Sequence, residues 1–596
     1  MAATAVRVLR RALVVPRRRT YVTQATPSVI SYVSVPGKVP LSSLTVGQLL
    51  DQTASKYPDQ VGVIFSQPTQ IRKTFAQLKA DTDQLAAGLI SLGLEKGDRV
   101  GIWGPNSYEW YLTHKAGMKA GLIIVNINPA YQGREINYCL NKVGVKALVL
   151  AEQFKTSNYY NMLLESIPEL EKSDPGRLNS KGAPTLTTVV SMADKPPKGT
   201  FSFQEILARG GQSEAKDALR KVEPHVQFDD VCNIQFTSGT TGNPKGVMLS
   251  HHNIVNNGMI VADRFSFSTK DKLCIPVPLF HCFGSVVGTL AGLVSGATAV
   301  YPSPAFSPPD ILASVAQERC TVLYSTPTMH IDILNCPVFP KHDVTSLRLA
   351  VTAGAVCPEE LIGQMKAQYT VDNVASCYGM TETSPVSFQS LPDDTDKLRA
   401  ETVGFPCENT EVKIVDKEGR IVPLGMEGEM CVRGYLNMLG YWQDADKTKE
   451  TIDTARWLRT GDLTVMLPSG HARVVGRLKD LIIRGGENIY PREVEDFLHA
   501  HPDIQEAQVF GVPDPRMGEE VAAWVGIKEG RSLTDQDLRA FCKGKIAHYK
   551  IPKYIVFTKE FPKTTSGKVQ KFRMREDTIK QFQIKDITHL KYATET

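Results

Sequence analysis

Ten consecutive residues, Thr237 to Gly246, read TSGTTGNPKG and follow the apolar run VCNIQF. Gly239, Gly242 and Gly246 remove Cβ atoms and let backbone N–H groups approach an anion closely. Thr237, Ser238, Thr240 and Thr241 add hydroxyl donors, and Lys245 adds a compact positive charge. This inventory suits a mobile loop that donates to the β- and γ-phosphates of a nucleotide. It is not a Walker loop, because Asn243 and Pro244 separate Gly242 from Lys245. A solvated Gly/Thr turn is the ordinary reading of an isolated GxxG, but it does not account for ten such residues in this order.

The loop needs a frame, and the flanking sequence supplies one. VCNIQF and VML read as two strands that enter and leave the turn. Upstream, RVGIWGP, LIIVNI and ALVLAE are strand-like runs separated by helical stretches such as Ser107 to Ala120. That alternation predicts an α/β fold with mostly parallel sheets covered by helices on both faces. The segment from Glu171 to Thr200 is rich in Pro, Gly, Ser and Lys at its ends and is expected to be a surface excursion. Past residue 400, EVKIVDKEGRIVPLG and GEMCVRGY suggest a small antiparallel, barrel-like unit over about 405–476. Beyond GRLKD, a helix starting at Pro491 and the runs AQVFGV and VAAWVGI describe a compact α+β unit. The expected organisation is therefore a large domain over 42–476 and a small domain over 481–596, with a boundary near Gly476 to Lys479.

At 596 residues the chain is too long for a single core. Its hydrophobic fraction of 42% and charged fraction of 22% are those of globular proteins. The net charge of +5 is concentrated at the start, where Met1 to Tyr21 carries six arginines and no acid precedes Asp51. Val6, Leu9 and Leu13 share one helical face there, as in a mitochondrial transit peptide, with a flexible leader to about residue 41. Without residues 1–21 the count is 62 basic against 63 acidic residues, which removes the basic footprint that nucleic-acid binding requires. The eleven cysteines form no CxxC pair, so neither a zinc site nor a disulfide framework is indicated. The uncharged run Phe283 to Tyr301 has glycines at 284, 288, 292 and 296, and reads as a short helix closed by Gly296 before a strand rather than a membrane span. No signal fixes an oligomeric state.

TSGTTGNPKG resembles the phosphate-loop signature of the adenylate-forming superfamily, which includes acyl-CoA synthetases, luciferases and peptide-synthetase adenylation domains. The resemblance continues in order through PLFHCFG (278–284), TAGA (352–355), YGMTETSP (378–385), GYW (440–442), TGD (460–462), GRLKDLIIRGGENIYPREVE (476–495) and PKTTSGK (562–568). With the leader, it is nearest to a mitochondrial medium-chain acyl-CoA synthetase branch. It implies an ATP-dependent ligase that joins a carboxylate to AMP and then to coenzyme A, with Mg²⁺ and CoA taking part. It further implies that Lys568 supplies charge to the reacting oxygens and that Glu382 is the magnesium carboxylate. Tyr378, with Gly379 and Thr381, would meet the nucleotide, the tyrosine stacking on adenine while Gly354 and Ala355 line the other face of the base. Asp462 would accept from the ribose hydroxyls, and Arg477 would donate nearby.

The resemblance places His281 between nucleotide loop and acyl tunnel, as a gate, a carboxylate neighbour or a satisfied core histidine. The glycine-striped helix after it is expected to border an acyl chain. Lys479 matches the family's hinge, and Gly486 would let pantetheine pass. The run Lys543, Lys545, Lys550 and Lys553 is read as a solvated face rather than a CoA-phosphate site. Alternatives to a fatty-acid ligase are ligation of an aryl or other carboxylic acid, luciferase-like oxidation, and a protein that holds acyl chains and nucleotide without turnover. All imply small-molecule substrates, no nucleic acid and no transmembrane segment.

Overall fold

The computed structural model describes residues 29–68, 70–237, 244–354, 357–484, 487–514, 516–543, 545–546, 548–564 and 568–584. The expected transit peptide, residues 1–21, lies outside them; the leader expected to stay flexible to about residue 41 does not stay so over its described part, because Tyr32–Val35 forms a strand paired with 410–415. Two large sheets dominate. The first has the strand order 201–202, 188–191, 145–150, 99–103, 123–127, 231–237, 245–250 and 440–441. Its first six strands run parallel, 245–250 runs antiparallel to them, and 440–441 pairs antiparallel with 245–250. The parallel strands read as continuous apolar runs because both faces are buried, as at Ile124, Val125 and Ile127. The helix Tyr108–Lys119 is capped by Ser107, whose hydroxyl accepts from Trp110 N. The helix Gly133–Val143 stops at Gly144, whose φ of 63° is left-handed.

One expectation fails here. The segment from Glu171 to Thr200 is not wholly a surface excursion, since Thr188–Ser191 forms an interior strand between 145–150 and 201–202, with Val189 and Val190 buried. A strand of four residues between Pro- and Gly-rich flanks gives too short an apolar signal to stand out from its surroundings.

In the second sheet, the strands 373–379, 349–353, 322–325, 272–274, 298–301 and 61–65 lie side by side and parallel. Antiparallel strands flank them on each edge. The uncharged glycine run is a helix of π geometry over Phe283–Leu290, continued as α-helix over Ala291–Ser295 and ended by Gly296 at φ 69°. Among the described residues, no helix is long and apolar enough to cross a membrane.

Smaller units complete the chain. Five antiparallel strands, 32–35, 410–415, 427–434, 458–466 and 472–477, form a third sheet, to which the first strand comes from well outside the span of about 405–476 expected for an antiparallel unit. A short turn, Leu478–Asp480, leads from it into a last sheet built on the long hairpin Ile504–Asp514 and Gly518–Ile527. The helix Pro491–His499 packs on that hairpin and begins with proline at its first position, where the missing N–H costs nothing.

Candidate active site

Several candidate residues sit where loops leave the carboxyl ends of parallel strands, the usual position of ligand crevices in α/β sheets. Strands 231–237 and 245–250 form the expected hairpin, with Thr237 opposite Lys245. Its tip, Ser238 to Asn243, lies outside the described residues, as do Ala355 and Gly486. The Lys245 ammonium lies over the Tyr441 ring, 4.7 Å from its centroid.

Glu382 occupies a one-turn 3₁₀ helix, Thr381–Thr383, just beyond strand 373–379. The bend before it depends on Gly379, because a Cβ there would fall 1.7 Å from the carbonyl oxygen of Pro385. Glu382 is only 7% exposed. Its Oε1 accepts from the Tyr441 hydroxyl at 2.9 Å. That contact, between residues far apart in sequence, was not expected, although both lie in the motifs YGMTETSP and GYW.

Asp462 is held from two sides. Arg477 stands opposite it in the antiparallel register and donates from Nε to Oδ1 at 2.8 Å. The Tyr378 hydroxyl donates to Oδ2 in a very short hydrogen bond. Burial, reinforced by the Asp462 charge, pushes the Tyr378 phenol well above its ordinary value, so it stays a donor. The same carboxylate raises the Arg477 guanidinium further. Tyr378, expected to stack on adenine, thus also aims the carboxylate expected to meet ribose.

Lys568 reaches this cleft from the segment between the strand Tyr554–Phe557 of the last sheet and the helix Lys571–Gln581. A Cβ built on Gly354, whose φ is 88°, would lie 3.9 Å from Lys568 Cε. The Lys568 backbone is fixed to Thr564 by hydrogen bonds at 2.7 and 3.0 Å. Its side chain opens to solvent, yet enough protein surrounds it that desolvation, then repulsion from Arg477, lowers its ammonium pKa. Glu382 and Asp462 oppose that shift, which puts all four residues in one electrostatic field.

His281 belongs to the same field. Burial and the Lys568 charge depress its pKa to about 3, so it is neutral at physiological pH. Its Nδ1 accepts from Phe283 N at 3.1 Å, which leaves the proton on Nε2. The next residue, Cys282, was not singled out by the sequence. Its buried thiol is pushed up to about 12 by desolvation, and Lys568 and Thr381 draw it back.

Other expectations are altered. The glycine face of the 283–295 helix does not border a channel. A Cβ on Gly284 would lie 2.3 Å from Pro278 O, one on Gly288 3.0 Å from Ile275 side-chain carbons, and one on Gly292 3.1 Å from Leu273 Cδ1. The glycines are there because the helix backbone packs directly on the strand and loop 272–278. Lys550 pairs with Glu493 at 2.5 Å and Lys553 with Asp514 at 2.8 Å. Lys479 lies in the Leu478–Asp480 turn between the third and last sheets. Beside that turn, the Tyr490 hydroxyl donates to Glu427 Oε1 and ties the two sheets together. Among the described residues, no group of three or more His, Cys, Asp or Glu side chains is arranged to hold a metal.

This arrangement of a Gly/Thr-rich hairpin, a buried carboxylate, an aimed Asp–Arg pair and a nearby lysine has relatives among known proteins. Residues 50–442 match the AMP-binding enzyme family, and residues 493–568 match the AMP-binding enzyme C-terminal domain. The chain belongs to the AMP-binding enzymes. It is 48% identical to the mitochondrial medium-chain acyl-CoA ligase ACSF2 of Rattus norvegicus, over 92% of this chain and 89% of that protein. A putative acyl-CoA synthetase of Bacillus subtilis, YngI, is 43% identical over 91% of this chain and 98% of its own. Among solved structures, the anthranilate CoA ligase AuaEII in complex with anthranoyl-AMP superposes with a TM-score of 0.78 at 26% identity, covering 92% of this chain and 99% of that one. ATP-bound MatB from Rhodopseudomonas palustris gives 0.75 at 27% identity, covering 90% and 100%. The family expected from the motifs is the one found.

Proposed function

We propose that this AMP-binding enzyme is an AMP-forming acid–thiol ligase that activates a medium-chain fatty acid. In the first half-reaction a carboxylate oxygen attacks the α-phosphorus of ATP, and pyrophosphate leaves. In the second, the thiol of CoA attacks the acyl carbonyl of the adenylate, AMP leaves and the thiol proton is released. The observation that carries the reading is the convergence of Lys568, from the segment between the strand Tyr554–Phe557 and the helix Lys571–Gln581, with Gly354, Glu382, Asp462 and Arg477 in one cleft.

Two anions must meet in the adenylation step, so positive charge near the reacting oxygens lowers the barrier. Lys568 supplies it opposite the hairpin of Thr237 and Lys245, while Asp462 receives the ribose hydroxyls and Arg477 steadies the same end of the nucleotide. His281, neutral and protonated on Nε2, donates toward the acyl carboxylate without adding a charge. Glu382 fits Mg²⁺, because a single buried carboxylate with phosphate oxygens is a common donor set for that ion. Mg²⁺ would neutralise phosphate charge when bound.

The second half-reaction requires Lys568 to withdraw, since CoA must reach the adenylate. The proposed movement is a rotation about Lys479, in a hinge at 477–480 between a large domain over 42–476 and a domain over 481–596, and the short turn Leu478–Asp480 between the third and last sheets is in keeping with it. The medium-chain assignment leans on relatives that carry that name, and mitochondrial placement on the arginine-rich leader together with the name ACSF2 bears. The test is CoA-dependent AMP release from a panel of fatty acids of increasing length with benzoate. A maximum at medium chain length is expected. A maximum with benzoate would favour an aryl acid, and no release with any acid would remove the proposal.

A further inference from the structure

Three amides interrupt strands that are otherwise fully apolar. Asn126 lies in LIIVNI, and Asn233 and Gln235 lie in VCNIQF, yet they are only 2%, 1% and 3% exposed. An unbonded amide buried in this way costs free energy, so each must find partners. They find one another. Gln235 Nε2 donates to Asn233 Oδ1 at 2.8 Å. Asn233 Nδ2 donates to Asn126 Oδ1 at 3.1 Å and to the Ile124 carbonyl at 2.8 Å. Asn126 Nδ2 then donates to the carbonyl of Phe280 at 3.1 Å.

The direction of this relay is fixed. Its two backbone acceptors, Ile124 O and Phe280 O, carry no hydrogen, so the Asn233 and Asn126 amides each have one orientation that satisfies the chain. One end begins two residues before Thr237, on the strand that launches the phosphate hairpin. The other end holds the Phe280–His281 peptide. The same loop is gripped a second time by Asn106, which donates to Val277 O at 3.1 Å and accepts from Leu279 N at 2.7 Å.

We propose that Asn126 is a positioning residue, whose amide sets the Phe280–His281 peptide in register with the strand carrying the phosphate hairpin. The acyl carboxylate and the α-phosphate must come within reacting distance, and misplacement by about 1 Å costs on the order of a hundredfold in rate. One bonded relay from the hairpin strand to the His281 loop fixes that spacing. Asn126 is buried, and its route to the site is the Phe280 carbonyl it holds, next to His281. This inference rests on the ligase reading above.

The test is Asn126→Leu, which keeps a similar volume and removes the donor to Phe280, followed by ATP–pyrophosphate exchange with a saturating fatty acid. The expected result is a fall in kcat of roughly tenfold, with KM for ATP within about twofold of the parent and an unchanged melting temperature. Exchange at the parental rate overturns the proposal, and so does a loss of kcat accompanied by higher KM for ATP and lower melting temperature, which is the pattern of a purely structural residue. If Asn126→Leu does not fold, Gln235→Met removes the other terminal donor and is read by the same criteria. Failure of both to fold assigns the relay to stability alone. Absence of exchange in the parent protein would instead refute the ligase reading, so the two failures are distinct.

Discussion

The Tyr441–Glu382 pair allows a quantitative test of how the candidate magnesium carboxylate is aimed. Tyr441→Phe removes one hydroxyl and nothing else. The ring remains to hold the Lys245 ammonium. The backbone pairing of Tyr441 with Val247 and its hydrogen bond from Tyr441 N to Thr448 are untouched. Both partners of the lost bond are nearly buried, with Tyr441 5% and Glu382 7% exposed, so water does not fully replace it. A hydrogen bond to a charged group contributes about 1.5–3 kcal/mol. At about 1.4 kcal/mol per factor of ten, that range sets a loss of about 10- to 100-fold.

Two effects of the substitution oppose each other. Removing the hydroxyl releases a lone pair on Oε1, but a carboxylate has about four acceptor sites and the tyrosine uses one. Loss of aim therefore outweighs release of an acceptor. The expected outcome is that the Mg²⁺ concentration giving half-maximal ATP–pyrophosphate exchange rises about tenfold or more. Exchange measured across a Mg²⁺ titration checks it, with thermal melting as the control for folding. If the half-maximal concentration stays within about twofold of the parent while the protein melts normally, the assignment of Glu382 through Tyr441 is wrong.

Further outcomes follow from the same geometry. Lys568→Ala is expected to lower pyrophosphate exchange on the order of a hundredfold while sparing CoA transfer from supplied acyl-adenylate; equal loss in both assays would contradict its role. Because the Lys568 pKa is lowered and only the ammonium is useful, exchange should fall as pH rises through that depressed value, and Lys568→Arg should carry the alkaline limb to higher pH. Gly288→Trp is expected to destabilise by about 1–3 kcal/mol through overpacking on Ile275, seen as a lower melting temperature; normal melting with a shortened chain-length preference would restore the channel assignment. Lys479→Pro should leave exchange largely intact and impair thioester formation, and equal impairment of both half-reactions would count against a hinge there.

The parts of this protein legible in its sequence are those set by local pattern. The hairpin around TSGTTGNPKG, the parallel strands RVGIW and IIVNI, and the proline-led helix at 491 each carry their signal within a dozen residues. The strand Thr188–Ser191 does not, because its burial comes from neighbours on either side rather than from its own composition. The π geometry of 283–290 is likewise a tertiary outcome, set where Gly284 and Gly288 meet Pro278 and Ile275 and where Thr289 Oγ1 donates to Gly284 O at 2.7 Å. At the site, physical reading alone singled out the Gly/Thr-rich hairpin as a candidate phosphate loop. Glu382, Asp462, Arg477 and Lys568 came from resemblance, since isolated charged residues are mostly solvated surface. The Tyr441–Glu382 and Tyr378–Asp462 bonds join residues 59 and 84 positions apart, a separation at which no periodicity operates.

Those long-range contacts also explain why the cleft suits a polyanion. Arg477 and Lys568 share a field with two carboxylates, Glu382 and Asp462, and Lys245 lies over the ring of Tyr441, whose hydroxyl binds Glu382; the three cations are not equivalent. Arg477 is committed to Asp462, which holds that pair rigid at one end. Lys245 rests on an aromatic face, which leaves its N–H groups free of a fixed carboxylate geometry. Lys568 is the one held under strain, since desolvation and Arg477 both disfavour its charge. A triphosphate entering between hairpin and lysine would reverse the sign of that field, and the Lys568 ammonium would gain most from the change. The residue with the least stable charge is also the one attached to the last sheet, beyond the Leu478–Asp480 turn. On the proposed two-step reading, substrate charge would favour docking of that unit onto the cleft, and departure of pyrophosphate, which carries most of the negative charge away, would favour its release before the thiol step.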